Sequence, residues 1–469
     1  MMWRRLAFLS TVLAAMTPGS NGRAGELSAG VATVDITPPR GYRMAGYFAE
    51  RVNTGTRDPL LAKAIVFRQG EVQAALVFCD LVSVPRAVAT RARDEASRRT
   101  GIPASRIAVA ATHSHTGPLY HGVLRTKFHD RAVAGSGVDE KEAVDYPALL
   151  VNKVAEAVVA ALKEIAPVRI SAGAATEPKV AFNRRFHMKD GKVRFNPGAL
   201  NPDIVRPAGP IDPQVGVLLL RPKEGGDPFA GLTVLALHLD TVGGTDYSAD
   251  YPFYLEDELR KHFGPGFLSL FGTGTCGDIN HFDVSRREIA RTETIGRSLA
   301  RAVIARAPTL APLKDPELAV AGATVDVPLQ RPTPEDVAKA RKAVETFEEA
   351  KLPFLETVKA VTTVDLADNY PRPTEPLEVQ VFRLGAEVAL VTLPGEVFVE
   401  HGLAIKADSP FRWTFVIELA NGCPAYIPTR KAFKEGSYEV VNSRVAPGGG
   451  EKLVATALRL LKQVKGAAK

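Results

Sequence analysis

Apolar residues in this chain fall into short, nearly continuous runs. Val, Leu and Ala dominate residues 30–36, 62–67, 73–79, 107–112, 215–220, 233–237, 267–271, 386–393 and 415–419. Runs of that length with little polar interruption predict strands covered on both faces. Between them the apolar spacing predicts helices over 86–100, 146–164, 251–262, 287–306, 334–350 and 396–406, with a short closing helix over 451–465. Strands alternating with helices of about ten residues or more predict an α/β fold, with mixed or largely parallel sheets flanked by helices.

Two segments break this rhythm. Residues 331–370 are charged and helical in pattern, and they interrupt the strands before the sheet resumes near Leu377. They read as a surface insertion, either a lid or a passive excursion. At the N-terminus, the basic Met1 to Arg5 precedes the apolar Leu6 to Met16 and a polar stretch ending in Gly22-Arg23-Ala24. The apolar part is too short to span a bilayer and has the length of a signal-peptide core. The expectation is a signal peptide over 1–24, then one large domain over 25–469, in a secreted or periplasmic protein.

Charge and cysteines narrow the function classes. The formal charge of +7 includes Arg4, Arg5 and Arg23, so +7 less these three leaves +4 after cleavage. That surplus is spread along the chain. It excludes a nucleic-acid groove and allows at most peripheral contact with an anionic membrane. Cys79, Cys276 and Cys423 are too few and too far apart for a disulfide framework, and buried thiols explain them best, a Cys276–Cys423 bridge being the one pairing left open.

The candidate chemistry lies where apolar runs end. His113 and His115 close one run, His238 another, and Glu396 follows Leu393-Pro394-Gly395. Ligands in α/β sheets bind beyond the carboxyl ends of strands. Two residues apart on an extended segment, His113 and His115 would face the same way. Glu396 is expected to start a helix, where a carboxylate is favoured. Two or three imidazoles with one carboxylate suit Zn²⁺ with a position open to water. Bound zinc lowers the pKa of water towards about 7 and polarises a carbonyl, which suits amide or ester hydrolysis. His187, His262 and His401 read as ordinary core or surface residues.

Taken in order, the motifs resemble those of the neutral, non-lysosomal ceramidase family. Gly30 to Thr37 resembles its G-x-x-x-x-D-I-T entry, and Met44-Ala45-Gly46-Tyr47 its M-x-G-Y. Thr112-His113-Ser114-His115-Thr116-Gly117-Pro118 resembles T-H-T-H-S-G-P, and Asn183-Arg184-Arg185 stands for N-R-S. Leu237-His238 matches the mid-chain histidine, Leu393-Pro394-Gly395-Glu396 the L-P-G-E, and Tyr426-Ile427-Pro428-Thr429 the Y-V/I-T-T, with Tyr438-Glu439 following at the family's spacing. The resemblance implies zinc held by His113, His238, Glu396 and Tyr426. It implies that His115, Arg184 and Tyr438 contact the substrate or the reacting carbonyl.

The chain departs from that pattern at Cys276-Gly277-Asp278-Ile279-Asn280, where the family's G-D-V-S places a serine. Asn280 lacks the hydroxyl, but its amide is able to donate to an oxyanion. His281 beside it is a further base or a polar loop residue. The resulting expectation is an exported zinc amidohydrolase that cleaves the N-acyl bond of ceramide or a related lipid. Two alternatives stand beside it: the same chemistry on a small amide or ester, and a non-catalytic binding protein. No protein partner is implied.

Overall fold

In the computed structural model, which describes residues 25–466, the apolar runs pair into two sheets stacked face to face. The predicted signal peptide lies outside the described residues. The larger sheet runs, in spatial order, Leu268–Thr273, Ala230–Leu235, Gln214–Pro222, Ala166–Thr176, Ser28–Asp35, Leu61–Gln69, Val72–Cys79 and Ile107–Ala111. Only the pairs at its two ends are parallel. The smaller sheet orders Leu318–Pro328, Thr374–Leu384, Val388–Thr392 and Trp413–Ile417, with its last pair parallel. The sheets are therefore mixed, and the expected α/β class holds.

Strand parity explains the continuous apolar runs. In Gln214–Pro222, Leu218 and Leu220 point into the layer between the sheets, while Val215, Val217 and Leu219 point out under helices. Leu61–Gln69 does the same, with Ile65 and Phe67 inward and Ala62, Ala64 and Val66 outward. Both faces are buried, so both parities are apolar. Helices Arg86–Thr100 and Tyr146–Lys163 cover one part of the large sheet's outer face, and Tyr251–Phe263 and Thr292–Arg306 another. The closing helix Gly449–Gly466 covers the outer face of the small sheet with Leu453, Leu460 and Leu461. The result is four layers: helices, sheet, sheet, helices.

Several expectations change in detail. Strands Ala166–Thr176, Leu318–Pro328 and Thr374–Leu384 carry enough polar or small residues, exposed in the first two and largely buried in the third, to escape a search for apolar runs. Glu396 does not start a helix. It opens a two-residue strand, Glu396–Val397, and the helix follows at Val399–Ala407. The segment between paired strands Leu318–Pro328 and Thr374–Leu384 forms two helices, Pro334–Ala350 and Phe354–Asn369. Cys79, Cys276 and Cys423 are all free thiols. No helix among the described residues is long and apolar enough to cross a membrane.

Candidate metal centre and its cavity

The strand Ile107–Ala111 ends two residues before His113, whose φ of 77° is left-handed. The histidine pair is thus not extended, as the sequence spacing suggests, but turned. A non-glycine residue in this region is uncommon and strained. The turn carries His113 Nδ1 to 2.8 Å from the Val82 carbonyl, and His115 Nδ1 to 2.9 Å from the Gly46 carbonyl. His238, just past Ala230–Leu235, has its Nδ1 2.9 Å from the Cys276 carbonyl. A carbonyl only accepts, so each imidazole carries its proton on Nδ1 and turns a bare Nε2 the other way. Carbonyl-anchored imidazoles are the usual support of metal-binding histidines.

The three Nε2 lone pairs meet. His115 Nε2 lies 3.4 Å from His113 Nε2. The Glu396 Oε2 atom is 3.4 Å from His113 Nε2 and 3.5 Å from His238 Nε2, and it is buried without a hydrogen-bond partner. A tetrahedral zinc with ligands at about 2.0–2.1 Å sets its donor atoms about 3.3–3.4 Å apart. The donor set and its spacing therefore fit such an ion. A second trio, His129, Asp139 and Glu142, is close enough to be considered, but Arg43 and Arg125 already pair with its carboxylates.

Around this centre the loops are stitched tightly. Glu396–Val397 pairs in parallel with Tyr426–Ile427, with Glu396 in register with Tyr426. Gly277 donates its N–H to the Val397 carbonyl at 2.9 Å, and its Cα approaches so closely that a Cβ would sit 2.5 Å from the Glu396 carbonyl oxygen. Asp278 accepts from Val399 N–H at 2.9 Å and from Asn183 Nδ2 at 2.8 Å, linking the Glu396 segment to the Arg184 segment. Glu418 accepts from Val397 N–H at 2.6 Å and stands 3.1 Å from the Cys276 thiol. Gly46 (φ 101°) lies against His115, where a Cβ would come within 2.5 Å of the His115 carbonyl oxygen.

Arg184 is buried beside the histidines. Its Nε donates to Glu439 at 2.8 Å, its Nη2 to the Gly277 carbonyl at 2.9 Å, and its Nη1 lies 3.3 Å from His238 Nε2. Glu439, fully buried, also accepts from Arg185 at 2.8 Å. The Tyr426 and Tyr438 rings lie 5.4 Å apart, with the Arg184 guanidinium 5.4 Å from the first and 5.7 Å from the second. Burial, then the Glu396 carboxylate, pushes both phenols above their usual range, so both remain protonated donors at neutral pH. Burial pushes the Glu396 carboxyl up, but the His113 and His238 imidazoles outweigh it and hold it well below the ordinary carboxylate range. Burial lowers His115 to about 3 and His238 to about 4, leaving both neutral at pH 7.

Of the residues singled out from sequence, His113, His115, Glu396, Tyr426 and Tyr438 line one cavity of ≈ 510 Å³, with His238 and Arg184 bonded immediately behind. Asn280 stands apart. Its amide nitrogen donates to Asn196 at 2.8 Å and its oxygen accepts from Phe282 N–H at 3.1 Å, and it is not among the lining residues. His281 is held by Asp240 at 3.1 Å. Sequence reasoning passed over Asp278, Glu418 and Glu439 as site-builders. Their one signal is a carboxylate at the edge of an apolar run, most clearly Glu418 after Phe415-Val416-Ile417.

No family model matches the chain, and no curated protein matches it in sequence. Among solved structures it is similar to the neutral ceramidase from Pseudomonas aeruginosa, at 19% identity and a TM-score of 0.70 over 93% of this chain and 75% of that one. It is similar also to a ceramidase complexed with C2, at 17% identity and a TM-score of 0.71, over 94% of this chain and 76% of that one. The chain shares the ceramidase fold.

Proposed function

We propose that the protein is an exported, zinc-dependent hydrolase that cleaves a carbon–nitrogen amide bond in the manner of a neutral ceramidase. The observation that carries this reading is a buried, otherwise partnerless Glu396 oxygen set 3.4 Å from His113 Nε2 and 3.5 Å from His238 Nε2. The ceramidase fold of the neighbouring structures supports it.

His113, His238 and Glu396 would hold the ion, with Tyr426 beside them. When bound, zinc supplies a Lewis acid that polarises the amide carbonyl and acidifies water. The chain's own residues do the rest. His115, anchored through Nδ1 to Gly46, offers its Nε2 lone pair to take the proton of the attacking water. Arg184, pinned by Glu439 and Gly277, presents a fixed positive charge where the carbonyl oxygen becomes negative. The Tyr438 phenol, protonated in its buried position, donates to the same oxygen. Water adds to the carbonyl carbon, the C–N bond breaks, and the proton passes to the departing nitrogen. The products are a carboxylic acid and an amine. Asn280, with both amide atoms engaged, has no part in these steps.

The test is amine release from N-acyl amides, N-acylsphingosine among them, by the zinc-loaded protein and its His113→Ala variant. Release by the native chain and none by the variant is expected. Equal rates from both would overturn the reading.

A further inference from the structure

The cavity has a second arm that the hydrolytic steps leave unused. It is joined to the metal centre at two points: Ser83 directly follows Val82, whose carbonyl anchors His113, and Asn442 Nδ2 donates to the Tyr438 hydroxyl at 3.2 Å. From there polar groups continue along the wall. Ser83 Oγ bonds His121 Nε2 at 3.0 Å. Asp365 accepts from Asn369 at 2.7 Å and from Arg444 Nε at 2.7 Å, in an ion pair whose side chains are only 12% and 11% exposed. Arg444 Nη1 donates to Asn442, while Nη2 donates to no acceptor among the described residues. Farther out, Arg86 pairs with Glu375 at 2.9 Å.

The charges of this arm cancel. Arg444 is matched by Asp365 and Arg86 by Glu375, and burial lowers His121 to about 4, so it is neutral at pH 7. An anion would meet no unpaired cation, and a cation no unpaired carboxylate. What the arm does offer is a close mixture of donors (Arg444 Nη2, Asn369) and acceptors (Asp365, Ser83). Hydroxyl groups both donate and accept, and suit such a wall. An alkyl chain laid there would strip water from these groups and return no hydrogen bonds, which is costly. Beside these groups Phe48, Leu124 and Val361 form an apolar stretch of the same cavity, which suits the C–H face of a ring. A cavity of ≈ 510 Å³ is the size that holds one compact ligand.

Resting on the hydrolase reading above, we propose that this arm binds an uncharged, hydroxyl-rich group, and that the substrate is an N-acylated amino sugar. Water cleaves its amide to the free amine and the carboxylic acid, with no other reactant needed.

The experiment measures kcat/KM of the zinc-loaded full chain on N-acetylglucosamine, N-butylacetamide and N-hexadecanoylsphingosine, with Ser83→Ala and Asp365→Asn alongside. The amino sugar is expected to exceed the butyl amide by tenfold or more, and folded Ser83→Ala to narrow that ratio about tenfold. Equal or better turnover of the sphingosine amide, or a ratio that neither folded variant moves, overturns the inference and leaves the hydrolase reading standing. If no amide is cleaved, the hydrolase reading falls, and calorimetry with N-acetylglucosamine decides the arm alone. Binding weakened by Ser83→Ala then sustains it, and no binding overturns it.

Discussion

Glu396 and Tyr426 face each other in register across a two-residue parallel ladder, so the carboxylate and the phenol of the centre move as one unit. The segment that bears Glu396 is further clamped by Glu418, Gly277 and Asp278. A candidate metal centre assembled from loops far apart in sequence gains its rigidity from these clamps.

Glu418 is the clamp most open to test. Glu418→Ala leaves the Val397 N–H buried without an acceptor, at a cost of about 1–3 kcal/mol. It also frees the Cys276 loop whose carbonyl orients His238. Zinc affinity, measured by competition with a chelator, should fall by about 10–100-fold. Glu418→Gln, which keeps an acceptor for Val397, should fall less.

Glu439 holds Arg184 and Arg185 together with no exposure to solvent. Glu439→Gln leaves the buried Arg184 guanidinium without its counter-charge and Arg185 with Glu435 alone. Removing one partner of a buried pair costs about 3–5 kcal/mol. Urea unfolding should show that loss, and kcat should drop as Arg184 loses its fixed position.

Gly46→Ala places a methyl group where the His115 backbone already lies, in a left-handed conformation. The strain is of order 1–3 kcal/mol. The expected readout is a lower kcat with zinc content unchanged, since His115 shifts while the other donors keep their anchors.

His121 sets part of the acid sensitivity. Burial lowers it to about 4 in the folded chain, against about 6.5 when unfolded. Between those values the unfolded state binds the extra proton, so stability rises with pH across this window and is lost as pH falls through it. The full shift corresponds to about 3 kcal/mol. Unfolding of the metal-free protein from pH 4 to 7 should show a shallower pH slope in His121→Gln than in the native chain.

The fold class was legible because strands buried on both faces announce themselves as unbroken Val, Leu and Ala runs. Strands with one wetter face, such as Leu318–Pro328, were not, and neither was the antiparallel middle of the large sheet. His113, His238 and Glu396 were legible because they follow such runs and match ordered motifs. The turn at His113 was not, because left-handed backbone in a histidine leaves no mark in composition. Asn280 was placed at the reacting carbonyl by analogy with a serine. The structure engages its amide with Asn196 and Phe282, a choice that depends on tertiary neighbours. The segment 331–370 was seen as helical, and its position was not. Helix Phe354–Asn369 supplies Val361, Asp365 and Asn369 to the cavity wall, and the Phe354 ring lies tilted 5.4 Å from that of Tyr438.

The central claim is the ion held by His113, His238 and Glu396. Zinc content per chain, determined by atomic spectroscopy after loading and desalting, tests it most directly in the native protein and in folded His238→Ala and Glu396→Gln. About one zinc per native chain, and at least a tenfold weaker affinity in each variant, is the predicted result. A native chain that retains no zinc, or variants that hold it as tightly as the native protein, would contradict the account.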